Sequence, residues 1–207
     1  MLEAPPVLTG RFLAAVDLAA QIHDGRRIGT EIPYMAHLLV VAGLVLEDGG
    51  SETEAIAAML HDSVEDGGGR RLLERIEREF GSRVAEIVAG CSDSLEAGDS
   101  RSWRERTQAY IAHLPEVDDD AVLRVALADK VHNARSIVRD YRAEGHALWD
   151  RFTNKTPGDQ LWYYDELLRF FVARRPGPLA EDLERAVDEL ADLVAGDAEA
   201  LATLDFA

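Results

Sequence analysis

The chain has 207 residues and carries 39 Asp and Glu against 22 Lys and Arg, a formal charge of −17. At roughly 150 residues per domain this length predicts one domain, or one with a modest extension, and excludes two full catalytic domains. With 47% hydrophobic and 29% charged residues, the composition is ordinary for a globular protein and excludes disorder over most of the chain. The acidic field disfavours nonspecific binding to nucleic acid or to an anionic membrane, while leaving room for a locally basic pocket.

A single cysteine, Cys91, excludes an internal disulfide and offers no zinc cage, which fits a reducing, cytoplasmic setting. The sequence opens without a basic region followed by an apolar stretch, and no run approaches about 18 apolar residues, so neither a secretory signal nor a membrane span is expected.

Phe12, Ala15, Val16, Ala19 and Ile22 recur at helical spacing between Arg11 and Ile22, and Asp24-Gly25 marks the break. A loop bearing Arg26 and Arg27 leads to a second helix, Tyr34 to Leu46, with Pro33 at its start and Leu38, Val41, Leu44 and Val45 on its apolar face. Ser51-Glu52-Thr53-Glu54 has the capping-box pattern and opens a third helix, expected to run through Ile56, Met59 and Leu60 as far as Gly67-Gly68-Gly69. Further helices are expected over Arg70 to Phe80, Val84 to Val88, Trp103 to Leu114, Ala121 to Tyr141, Gln160 to Val172 and Leu179 to Leu193. No stretch alternates as a strand would, so the fold class is all-α, a helical bundle. Arg175-Pro176-Gly177-Pro178 reads as a joint, which makes residues 179–207 an appended C-terminal helical extension that either caps the core or mediates a homo-oligomer.

The chemistry concentrates at His61-Asp62-Ser63-Val64-Glu65-Asp66. On one continuous helix Glu65 falls a turn after His61, and Asp66 a turn after Asp62, so four polar groups form one patch. Three carboxylates at the negative end of a helix repel both the dipole and one another, each effect costing about 0.3–1 kcal/mol. A solvated helix end is the simplest explanation of such a run, but a cation explains it better once two more residues are counted. His37 projects from the apolar second helix, where a lone histidine is commonly a hydrogen-bonded core residue. Asp129 closes the apolar run Val125 to Ala128, where an acid must be paired, capped or ligating. Two histidines and two aspartates converging on a point would form a nitrogen and oxygen site for a divalent ion such as Mn, Fe, Zn or Mg.

The motifs around these residues resemble those of the HD phosphohydrolase superfamily and, more narrowly, the hydrolase domain of RelA/SpoT-type alarmone enzymes. They are Ile32-Pro33-Tyr34-Met35-Ala36-His37, then Ala57 to Asp66 with its HDxxED pattern, then Leu127-Ala128-Asp129-Lys130-Val131-His132-Asn133-Ala134-Arg135. The likeness covers about residues 10–172, taken as the HD domain. It implies that His37, His61, Asp62 and Asp129 hold a single ion, Mn²⁺ in that family, with Glu65 and Asp66 as the catalytic acid/base pair. The implied reaction is metal-assisted hydrolysis of the 3′-pyrophosphate of the nucleotide (p)ppGpp to GDP or GTP and pyrophosphate, without synthetase activity.

The family also carries a basic pair followed by a small polar residue ahead of the first histidine. Here the loop Gly25-Arg26-Arg27-Ile28-Gly29-Thr30 is about one residue shorter, with Ile28 where a lysine is common. Arg26 and Arg27, the second above all, are expected on phosphate oxygens, with Thr30 adding a hydroxyl. Lys130, and Asn133 one turn past Asp129, are implied on the nucleotide side, and Tyr163 offers a flat face to base or sugar. Trp103-Arg104-Glu105-Arg106 either supplies cations at the pocket mouth or is simply a surface helix. His23, His113, His132 and His146 show no ligand-like partner. Two other readings stay open: hydrolysis of a different nucleotide, which the departure at Ile28 and the shortened loop keep open, and a non-catalytic nucleotide-binding module, against which the intact Glu65 and Asp66 speak.

Overall fold

The computed structural model describes residues 7–92, 101–152 and 156–204, with side chains throughout except at positions 66, 67 and 198–204. Ser51 opens its helix as the pattern predicts: the Glu54 N–H donates to the Ser51 hydroxyl at 3.4 Å, and the Ser51 N–H donates back to the Glu54 carboxylate at 2.8 Å. Among the described residues ten α-helices follow in chain order: α1 (Gly10–Ile22), α2 (Tyr34–Glu47), α3 (Glu52–Leu60), α4 (Ser63–Gly67), α5 (Arg70–Phe80), α6 (Ser82–Cys91), α7 (Trp103–His113), α8 (Asp120–Glu144), α9 (Pro157–Arg174) and α10 (Pro178–Leu204). Short 3₁₀ turns lie at Leu114–Glu116 and Gly145–Arg151. An isolated antiparallel bridge joins Arg26 to Pro33, and no strand ladder forms among the described residues. The chain is all-α, and none of its described helices is long and apolar enough to cross a membrane.

The helices divide into two compact units. The first comprises the described residues through Ser102 together with Pro115–Asp129; the second comprises Trp103–Leu114 and the described residues from Lys130 onward. In the first unit α3 packs against α1, α2 and α6. Ala55 to Leu60 are all fully buried, so α3 is apolar on every side, as a helix surrounded by others must be. On α5 the apolar stripe is narrow: Leu72, Ile76 and Phe80, four residues apart, point inward from an otherwise charged helix. Gly81 adopts φ +94°, a left-handed conformation that lets α6 start at once after α5. The beginning of α8 contributes Ala121, Val122, Leu123 and Val125 to Ala128, all buried, with Asp129 buried at the end of the run.

In the second unit α9 and α10 pack together. Leu179, Leu183, Ala186, Val187 and Leu190 line the buried stripe of α10, and Tyr141 on α8 donates its hydroxyl to Asp197 at 2.9 Å. Arg135 and Arg142 of α8 form ion pairs with Asp182 and Glu189 of α10. The last helix thus continues well past Leu193, the end that its apolar period suggests.

One expected element is corrected. The third helix does not run on to Gly67: α3 ends at Leu60, His61 and Asp62 form a turn, and Ser63 begins the separate five-residue α4. Neighbouring side chains on an unbroken helix point about 100° apart. Asp62 keeps a near-helical φ of −86° and ψ of −9° in this turn, and its Oδ2 lies 3.2 Å from His61 Nε2.

Candidate metal centre

Three pieces of chain meet at this bend. α2 presents His37, the turn after α3 presents His61 and Asp62, and α8 presents Asp129. His61 Nδ1 lies 2.8 Å from the Ala58 carbonyl oxygen. A carbonyl only accepts, so Nδ1 carries the proton and Nε2 is the nitrogen left to face the other residues. His61 Nε2 stands 3.2 Å from Asp62 Oδ2 and 3.6 Å from Asp129 Oδ1, while His37 Nε2 stands 3.4 Å and 3.3 Å from the same two oxygens. Ligand atoms of His37, His61 and Asp129 all fall within 4.8 Å of one another, and all three residues are buried.

The donor set fits a divalent ion. His61 Nε2 is a buried nitrogen without a hydrogen bond, directed at two carboxylate oxygens. Imidazole nitrogen with carboxylate oxygen suits Mn, Fe or Zn and lacks the thiolates that would select a softer metal. The electrostatics agree. Burial pulls the His61 pKa down, but Asp62 and Asp129 outweigh it and push the imidazole up to about 9. Burial likewise works to raise the Asp62 carboxyl, yet the His61 charge and the His37 contact hold it well below the ordinary carboxylate range. The two carboxylates draw a positive charge into the cluster, and a proton or a metal ion answers the same need.

The remaining expected site residues lie in several places. Glu65 is exposed on α4, and the side chain of Asp66 falls outside the described residues. The loop before α2 is a tight turn: the Arg27 N–H donates to Ile32 O at 2.9 Å, the Tyr34 N–H donates to Gly25 O at 3.0 Å, and Gly29 sits at φ +69°. Thr30 spends its hydroxyl inside this turn, donating to Arg27 O at 3.0 Å and accepting from the Ile32 N–H at 3.1 Å. Arg26 pairs with Glu31 at 2.9 Å on the surface, and the Arg27 guanidinium lies 5.7 Å from the centre of the Tyr34 ring. Lys130, Asn133 and Tyr163 belong to the second unit. There Lys130 Nζ sits 5.0 Å from the Tyr110 ring, Asn133 is half-buried on α8, and Tyr163 meets Trp103 edge to face at 6.1 Å. Arg104 stacks on Trp162 at 3.6 Å and pairs with Asp159, so this arginine of the Trp103 to Arg106 segment is engaged within its own unit.

Two residues beside the cluster have no role in the sequence reading. Tyr34 donates its hydroxyl to Asp62 Oδ2 at 2.7 Å. His23 stacks on Tyr34 at 4.8 Å, its plane tilted by only 13°, and its Nε2 lies 3.3 Å from the Ser63 hydroxyl. The spacing of Tyr34 three residues before His37 was a usable signal, since i and i+3 share a helix face.

The sequence pattern of the HD domain matches residues 15–157, and the chain belongs to this family. Among curated relatives, a probable guanosine-3′,5′-bis(diphosphate) 3′-pyrophosphohydrolase of Synechocystis sp. is 37% identical over 136 residues, which is 65% of this chain and 17% of the relative. A probable GTP pyrophosphokinase of Mycobacterium leprae is 34% identical over 125 residues, 59% of this chain and 15% of the relative. The chain therefore spans less than a fifth of the length of either relative. A solved structure described as a metazoan ortholog of SpoT that hydrolyzes ppGpp superposes with a TM-score of 0.67 at 23% identity, covering 89% of this chain and 95% of that one, a likeness of fold.

Proposed function

We propose that the protein hydrolyses the 3′-pyrophosphate of (p)ppGpp in the cytoplasm, releasing GDP or GTP and pyrophosphate, with Mn²⁺ held by His37, His61, Asp62 and Asp129. The observation that carries this reading is the meeting of two buried imidazoles and two carboxylates at the bend between α3 and α4. A divalent ion there supplies positive charge to a phosphoryl oxygen and acidifies water. Glu65 and Asp66 follow the bend at once and stand outside the ligand set, which suits them to take the proton of the attacking water and return it to the leaving oxygen. Arg27, with Arg26 and Thr30 in the same turn, would meet the phosphates. The relatives named as 3′-pyrophosphohydrolases support the substrate, and so does the neighbour described as hydrolysing ppGpp.

The test is to incubate the purified protein with Mn²⁺ and ppGpp and to separate the products by anion exchange. GDP plus pyrophosphate is the expected outcome. A second reading, hydrolysis of a different nucleotide, is favoured by Ile28, which is 73% exposed at the loop tip where the resemblance leads one to expect a cation. Turnover of another nucleotide with ppGpp left intact would establish that reading instead. Binding of nucleotide with no turnover at all would point to a regulatory module.

A further inference from the structure

Asp62 differs from the other members of the cluster in how it is held. The side chains of His37, His61 and Asp129 are 1%, 4% and 9% exposed, and packing leaves them little choice of orientation. The Asp62 side chain is 24% exposed and sits on a bend between two helices, so burial alone does not fix its χ angles. The Tyr34 hydroxyl donates at 2.7 Å to Oδ2, the same oxygen that faces both imidazole Nε2 atoms. A carboxylate oxygen has two acceptor directions. With one taken by Tyr34, the other is aimed into the cluster.

The tyrosine is itself immobilised from several sides. Its ring stacks on His23 at 4.8 Å, meets His37 edge-on at 5.5 Å, and lies 5.7 Å from the Arg27 guanidinium. His23 is in turn buried and within hydrogen-bond distance of Ser63, the first residue of α4. We propose that Tyr34 is a positioning residue for Asp62: its hydroxyl orients the one partly exposed carboxylate of the cluster toward the ion. This inference rests on reading the cluster as a metal centre. Hydrogen-bond partners that orient ligating groups typically set metal affinity by about 10–100-fold.

The experiment titrates Mn²⁺ alone into the metal-stripped full chain, with free Mn²⁺ followed by electron paramagnetic resonance, for the parent protein, Tyr34→Phe and Asp62→Ala. Phenylalanine keeps the ring and its stacking and removes only the donor. Tyr34→Phe is expected to bind Mn²⁺ about 10–100-fold more weakly than the parent, to unfold in the metal-free state within about 2 °C of the parent's midpoint, and to regain turnover as Mn²⁺ is raised. Parental affinity in Tyr34→Phe overturns the proposal while leaving the metal centre standing. A metal-free midpoint lowered by more than about 2–4 °C assigns the tyrosine a structural role and overturns it as well. If the parent binds Mn²⁺ no better than Asp62→Ala, the metal-centre reading itself has failed, a result separable from the other two.

Discussion

Arg124 and His61 both sit among carboxylates in the first unit, and they answer them differently. Arg124 faces Asp48 at 3.1 Å, Asp120 at 3.4 Å and Glu54, with its own side chain 17% exposed. Its guanidinium is a permanent cation, so the carboxylates around it are satisfied at every ordinary pH. Burial works to raise the Glu54 carboxyl, but hydrogen bonds from Ser51 and the Arg124 charge hold it below its usual range. Around His61 the charge is conditional. Asp62 and Asp129 face imidazoles that carry a positive charge only when protonated, and a divalent ion can take that proton's place. A chain that closes one acidic group with arginine and another with histidine has built a lock in the first case and a socket in the second.

Substitutions test this contrast, beginning with the largest expected effect. Asp62→Ala should abolish turnover together with Mn²⁺ binding, measured as metal content after dialysis alongside product formation. Glu65→Gln should lower turnover by about 10²–10⁴-fold, the usual contribution of a general acid or base, with metal content retained. Equal loss of metal in both variants would erase the division between ligand and catalyst. Arg124→Met should instead destabilise the fold by about 3 kcal/mol, the lower end for breaking a buried ion pair, since Asp48 and Glu54 lose their partner. Urea unfolding measures it, and an unchanged Mn²⁺ affinity per folded molecule would keep the two clusters independent.

The pH dependence separates them further. The His61 imidazole is raised from 6.5 to about 9, so its protonated form stabilises the metal-free fold fully below about pH 6.5, and this contribution is lost as pH climbs through about 9. The unfolding midpoint of the metal-free protein should therefore fall across that window, while Mn²⁺ affinity rises over the same range because the ion competes with the proton. Arg124 keeps its charge throughout, so a His61→Gln variant should lose the slope while the Arg124 cluster still contributes. The smallest effect is expected at the surface. Arg83 grips Asp119 with two hydrogen bonds of 2.6 Å and 2.8 Å, yet Arg83 is exposed and Asp119 only partly buried, and Arg83→Gln should cost no more than about 1 kcal/mol in the same urea measurement.

Much of this architecture is legible in the order of residues. Apolar period places α1, α2, α5 and α8, the capping box places the start of α3, and Gly81 separates α5 from α6. Four cluster residues stand in recognisable motifs, and the structure brings them together. Period alone misses the bend at His61 and Asp62, because both residues keep near-helical dihedrals and no glycine or proline announces the break. It also misses the Arg124 cluster, whose partners Asp48 and Glu54 lie 76 and 70 residues away, since an ion pair between distant segments leaves no local repeat. Thr30 shows a third kind of gap: its hydroxyl bonds Arg27 O and the Ile32 N–H within the turn, contacts that leave no pattern in the sequence.

The bend between α3 and α4 has a consequence for how metal binding couples to folding. His37 and Asp129 reach the cluster from distant segments and leave it when the helices separate. His61 and Asp62 are joined by one peptide bond and stay neighbours in any conformation of the chain. An unfolded molecule therefore keeps half of the donor set as a weak local chelator. The ion should consequently protect the fold by less than its affinity for the native site alone would give, because some of that affinity survives unfolding.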